Sequence, residues 1–402
     1  MSHELNLNAS PAEAASPVSF AKAGSVGLIV GLIGSLACIG GFAADREHFL
    51  QSYLFGWIVL ASMVLGCLGL TLLHHIMRGQ WSLSVLRLWE AGGGPAALGL
   101  LGITSIPVLL GMGTIYHHWM HPEPGDEVLA HKAGYLNPSF FILRLVFYFA
   151  AWIILATILR RSTLKQDQNN DPRETALRTN VSSGGMVLFF LTCTFAVTDW
   201  VMSLDPHWFS SLYGVWFIIN QGLFAVALGT IVVTGFAKFE PYRSIISPKL
   251  TKDLGNMLFV FTMLWAYATL SQYLIIYSGN LPEFITYYTA RRETWFNFLG
   301  AFNILFSFFL PWMLLLFPRW KAKPDLLLRV AILILAMRLI DLFWNIIPFF
   351  RSDLPPLWTD FAVVLALGGW WLWVFATQSA KASLIPQYDD RLQVKEATHV
   401  HA

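Results

Sequence analysis

Ten stretches of roughly 20 or more predominantly apolar residues, separated by short polar turns, run through this 402-residue chain and decide its solvent before anything else. They fall at 22–44, 50–76, 95–117, 138–160, 184–204, 208–237, 254–278, 295–318, 325–349 and 358–379. A hydrocarbon core about 30 Å thick is crossed by about 20 residues of α-helix, because no water inside it can satisfy an unpaired backbone. None of the ten alternates apolar with polar residues as a transmembrane β-strand must. The expected fold is therefore all-α, a polytopic transmembrane helical bundle of about ten spans. Residues 1–21 are rich in Ser, Ala, Asn and Glu and lack a basic leader, so they read as a disordered cytoplasmic tail before an uncleaved first span. Residues 22–379 form the membrane domain and 380–402 a second cytoplasmic tail.

With 56% hydrophobic and 12% charged residues, the chain has no soluble globular alternative. A net charge of +2 provides no basic field for a nucleic-acid backbone. Cys38, Cys67 and Cys193 are isolated in apolar runs, which excludes a covalently attached c-type haem, a Cys-ligated iron–sulfur cluster and a thiol redox pair on this chain. Of the 26 Lys and Arg residues, 19 lie on the side of the termini, five lie opposite (Arg46, Lys132, Arg291, Arg292 and Arg351), and Arg144 and Arg338 lie within spans. The positive-inside rule places both termini in the cytoplasm.

Charges at bilayer depth cost at least about 2.5 kcal/mol each, so those present are paired, face the bundle interior or serve a pathway. Arg338, Asp341 and Asn345 in span nine are spaced to share one helical face. They read either as a self-neutralising structural pair or as an electrostatic element of a proton path. Asp199 in span five has no sequence-near cation, and proton uptake neutralises such a carboxylate at least cost, making it the leading candidate carrier. The alternative is a carboxyl that glues helix to helix. Ser203 lies four residues further along the same face, and Asp205 and His207 follow in the turn to span six, Asp205 as a cap or an outer proton acceptor.

His117, His118 and His121 lie on the outer side near Glu123, Asp126 and Glu127, and His74 and His75 end span two. Haem ligation needs imidazoles facing each other at depth, so proton entry and exit at His117 and His118 fits these span-end positions better than a bound metal. Pro107 and Pro311 interrupt spans three and eight and free backbone carbonyls inside the bundle.

Four stretches carry a resemblance to a known family. They are Ser-Tyr-Leu-Phe-Gly-Trp from Ser52 with Leu-Leu-His-His from Leu72; Asp-Trp-Val-Met-Ser-Leu-Asp-Pro-His-Trp-Phe from Asp199; Trp-Ala-Tyr-Ala-Thr-Leu-Ser-Gln-Tyr from Trp265; and Ile-Leu-Ala-Met-Arg-Leu-Ile-Asp-Leu-Phe-Trp from Ile334. Over residues 50–350 the chain resembles the F subunit of bacterial alternative complex III, a quinol:electron acceptor oxidoreductase whose membrane subunits are of the polysulfide-reductase NrfD-like kind. The resemblance implies two four-helix bundles plus two helices. It implies as partners a homologous ten-span C subunit, an iron–sulfur subunit, multihaem and monohaem cytochromes c, small membrane subunits and surrounding lipids. Haem c and iron–sulfur clusters belong to those partners and quinol to the complex, so the chain itself is expected to bind no cofactor and to serve as a redox-silent, non-catalytic subunit with a possible role in proton translocation. Two other functions suit the residues: a freestanding secondary transporter, to which midplane acids and kinked helices are also suited, and a quinol-binding subunit, for which Trp200 beside Asp199 is the cue.

Overall fold

A computed structural model describes residues 18–292, 294–352, 357–389 and 391. The outermost parts of both expected tails, 1–17 and 392–402, lie outside the described residues. The described chain is helical with no strand. Nine of its helices are long and apolar enough to cross a membrane: α1 (Ala21–Ala44), α2 (Arg46–Met77), α3 (Leu83–Leu110, interrupted), α4 (Pro138–Asn169), α5 (Pro172–Trp200, with a 3-10 turn to Leu204), α6 (Tyr213–Gly235), α7 (Pro248–Gly279), α8 (Phe296–Leu316) and, last in the chain, α10 (Trp358–Ser379). The remaining expected span is α9 (Pro324–Ile346), of similar length but carrying Asp325, Arg329, Arg338 and Asp341.

Local signals set the helix ends. Asn137, Asp171 and Ser247 each precede a proline, whose missing N–H and fixed φ suit the first helical position, and each side chain accepts from the backbone N–H of Phe140, Arg173 or Leu250 at 2.9–3.2 Å. At the far ends, Arg78, Asn170 and Asn280 take positive φ and close α2, α4 and α7. At 32 residues each, α2, α4 and α7 run about 48 Å and overshoot the hydrocarbon. The third span corrects the expected 95–117. It begins at Leu83, is interrupted at Gly93 and again around Thr104 and Ser105, just before Pro107, and stops at Leu110. Arg87, which reads as a loop cation in the sequence, is therefore buried in a helix. In α8, a π-helical turn at Leu305–Phe309 precedes Pro311.

Neighbouring helices close two rings of four. In the first, α2, α3, α4 and α5 pack in sequence and α5 returns to α2; in the second, α6, α7, α8 and α9 do the same, with α9 returning to α6. Connectivity is repeated at a spacing of four spans, a duplication that no sequence match announces. The rings meet where α2 lies against α6, close enough that a Cβ on Gly66 would run into the Gln221 carbonyl. Outside them α1 and α10 pair antiparallel through Gly27, Gly31, Gly34, Ala366 and Gly369, the backbones so close that a Cβ at Gly34 would lie 2.6 Å from the Ala366 Cα. Their outer faces carry exposed Ile33, Leu36 and Phe361, whereas polar side chains turn inward, as a hydrocarbon solvent requires.

Candidate functional site

Each ring holds one buried carboxylate near the end of its last helix, opposite the side of the termini. In the first, Asp199 of α5 is 1% exposed and meets the Arg144 guanidinium of α4 in a two-pronged ion pair, Nε to Oδ2 and Nη2 to Oδ1, both 2.9 Å. Arg144 is fixed in turn by the Tyr135 carbonyl at 3.0 Å and lies over the rings of Tyr135 and Phe140 at 3.8 and 4.3 Å. The Tyr148 hydroxyl donates to Oδ2 at 2.9 Å. Trp57, Phe149, Trp152 and Trp200 stack around this centre and shield it. The carrier reading of Asp199 rests on the lack of a sequence-near cation; the structure brings one from the adjacent helix, Arg144, within two turns of the same end. Such a pair ties α4 to α5. Ser203 donates to the Asp199 backbone carbonyl at 2.5 Å, not to the carboxylate.

The second centre differs in chemistry. Asp341 of α9 is also 1% exposed and gathers donors from three other helices: Asn220 of α6 at 2.5 Å, Trp265 of α7 at 3.1 Å and Asn303 of α8 at 2.7 Å. Arg338, one turn back, is fully buried and reaches Oδ2 only at 3.4 Å while lying over the Trp265 ring at 4.5 Å. The shared face expected for Arg338, Asp341 and Asn345 is present, with Asn345 Nδ2 donating to the Asp341 carbonyl at 2.7 Å. Polar side chains continue in both directions: Ser307 donates to Asn303 Oδ1 at 2.5 Å, and Tyr287 donates to Asn345 Oδ1. Three buried polar atoms here have no protein partner among the described residues, namely Arg338 Nε and Nη2 and Asn220 Oδ1. Buried polar groups are ordinarily satisfied, and water is the partner that a polar interior of this kind accommodates.

The remaining expected site residues lie apart from both centres. Asp205 Oδ1 accepts from the His207 and Trp208 amides at 3.2 and 3.3 Å, so it closes the turn and does not cap α6, which begins at Tyr213. His207 is exposed and meets Asp126 Oδ2 at 2.8 Å. The Leu129 amide, and after it His207, holds the Asp126 carboxyl below the usual carboxylate range. His117 and His118 are exposed, His117 lying beside His121 with ring centroids 5.1 Å apart. Among the described residues, no group of three or more His, Cys, Asp or Glu side chains is placed to hold a metal.

On the side of the termini, sequence reading missed a third charged cluster. Glu90 of α3 accepts from Arg87 at 2.8 Å and from Arg160 of α4 at 2.9 Å, while Arg87 also pairs with Asp167. The signal for Arg144 was available, since one Arg and one Asp at matching depth on consecutive spans are natural partners. Asn220, Trp265 and Asn303 carried none, because each alone is ordinary interhelical glue. Comparison with protein-family models finds no match to this chain, and comparison with curated proteins finds none either.

Proposed function

We propose that this chain is a redox-silent membrane subunit of a respiratory quinol:electron acceptor oxidoreductase of the alternative complex III kind, serving as scaffold and moving protons through its second ring. The observation that carries the proton role is Asp341, a carboxylate at membrane depth bonded by three neutral donors from three helices and bordered by polar atoms without protein partners. Asn220 and Trp265 both donate to Oδ2, whereas Oδ1 accepts from Asn303 alone and keeps a lone pair on which a proton can sit. Arg338 cannot give up its proton, and as a fixed positive charge it repels hydrated cations from the same route. The first ring's paired Asp199 acts as a structural tie. Support for the assembly comes from the resemblance, whose stretches from Asp199 and Ile334 are the ones that bear both buried carboxylates.

Two measurements test this reading. Mild-detergent purification of the chain from its native membrane should bring multihaem cytochromes and an iron–sulfur protein with it; recovery as a haem-free monomer or homo-oligomer favours a freestanding transporter instead. In the assembled complex reconstituted into sealed vesicles, Asp341→Asn should abolish proton movement while quinol oxidation by the partner subunits persists in uncoupled membranes. An assembled variant with parental proton movement refutes the role of Asp341.

A further inference from the structure

Arg178, near the start of α5, is a buried arginine that meets no carboxylate among the described residues. Its 1% exposure leaves little solvent to screen it, and its contacts are neutral: Ser162 Oγ at 3.0 Å, Gln166 Oε1 at 2.5 Å and the Tyr388 ring at 4.7 Å. Its Nε has no partner. Nearby acids are engaged elsewhere: Glu90 and Asp167 with Arg87, Glu174 with Lys165, and Asp389 with Arg391 at 2.6 Å. An uncompensated buried cation costs several kcal/mol, so the site calls for a counter-charge.

Space for one lies alongside. A cavity of about 50 Å³ is bounded by Arg178, His74, His75, Arg78, Tyr388 and the ion pair of Asp389 with Arg391, in which the carboxylate is already neutralised. At about 10–15 Å³ per water it holds a group of a few heavy atoms. His75, 4% exposed, lines it with an Nε2 that has no partner, while His74 Nδ1 is engaged by Ser82 at 2.6 Å. Arg391 is tied beside the cavity, its Nη1 donating to the Arg78 carbonyl and its carbonyl accepting from Gln80 Nε2, both at 2.7 Å. A wider cleft of about 360 Å³, sharing Arg78, Thr175 and Tyr388, opens outward from it.

We propose that this cavity binds a phosphate oxyanion, with Arg178 and His75 as its inner donors and Arg78 at its mouth. A compact tetrahedral anion suits the small inner space, and whatever the phosphate is esterified to lies in the outer cleft. Free phosphate and an anionic lipid headgroup present the same oxygens, and the experiment separates them. The full-length protein is purified in detergent, delipidated, and dialysed against radiolabelled inorganic phosphate at constant ionic strength in chloride. Saturable one-to-one binding is expected, weakened about tenfold or more in Arg178→Gln and in His75→Gln, the loss of one charge-assisted donor. His75→Gln keeps the test intact should Arg178→Gln fail to fold. Nanodiscs of phosphatidylcholine with or without phosphatidylglycerol supply the second arm. Competition of phosphatidylglycerol with phosphate, and its retention by the parent but not by the variants, identifies a headgroup; phosphate binding indifferent to lipid identifies a soluble phosphate. Absence of saturable binding in both arms overturns the proposal.

Discussion

Replacing Asp199 by Asn and Arg144 by Met, singly and together, measures how firmly the first ring is tied. Two bonds of 2.9 Å join the charges, and the side chains are 1% and 9% exposed, so solvent screening is slight. Opposite charges about 4 Å apart attract by about 4 kcal/mol at an effective dielectric of 20. Measured interhelical couplings in membranes are smaller, usually below about 2 kcal/mol, because the separated helices find other partners. The geometry here, with both prongs made and Tyr148 adding a third bond, places the coupling at about 2–3 kcal/mol. Asp199→Asn alone leaves a cation held in an aromatic cage and should cost about 3 kcal/mol or more. The double variant should cost less than the sum by the coupling energy. Equilibrium unfolding in mixed micelles, followed by tryptophan fluorescence, reads all four proteins, since Trp57, Trp152 and Trp200 adjoin the pair. A coupling below about 0.5 kcal/mol, the margin within which independent sites add, refutes the account of Asp199 as a structural tie.

At the second centre the two substitutions should be unequal. Asp341→Asn strands the fully buried Arg338 and should destabilise by about 3–5 kcal/mol, whereas Arg338→Met leaves Asp341 with its three neutral donors and should cost visibly less in the same unfolding assay. Gly66→Ala forces α2 and α6 apart where the rings meet and should cost about 1–3 kcal/mol, read as a lowered thermal midpoint with helix content kept by circular dichroism. Cysteines placed singly at Asp126 and Asn169 should react oppositely with an impermeant maleimide added to intact cells: Asp126 labels and Asn169 does not if 19 of 26 cations mark the cytoplasm. Below about pH 4 the loop at Asp126 should become more sensitive to an acid-stable protease. A carboxyl held below its usual range contributes stability above its unfolded pKa of about 3.9 and loses it as pH falls through the folded value.

Span number and helical class were legible because the membrane imposes one pattern, length and apolarity, that a sequence displays directly. The break in α3 was half legible: Pro107 pointed to it, but the start at Leu83 was hidden by Arg87 and Glu90, which look like a polar loop until their partners from α4 are known. The face shared by Arg338, Asp341 and Asn345 followed from helical spacing alone. The pairing of Asp199 with Arg144 was legible only as matching depth on consecutive spans, since the partners are 55 residues apart and periodicity within one helix carries no information about rotation of the next. The repetition of the two rings is likewise invisible in the side chains, because connectivity is conserved between them while the donors around each carboxylate differ.

The pairing of the first span with the last has a consequence for how the chain is made. Gly31 and Gly369 approach backbone to backbone across 338 positions of sequence. At translation rates of about 5–20 residues per second, the interval between their syntheses is roughly 20–70 s. Throughout it the Gly27, Gly31 and Gly34 face of α1 stands against lipid, a smooth surface of the sort on which membrane helices dimerise. Until α10 arrives, a neighbouring nascent chain can offer the same surface, so crowded synthesis on one message favours head-to-head mispairing of first spans over the native clasp.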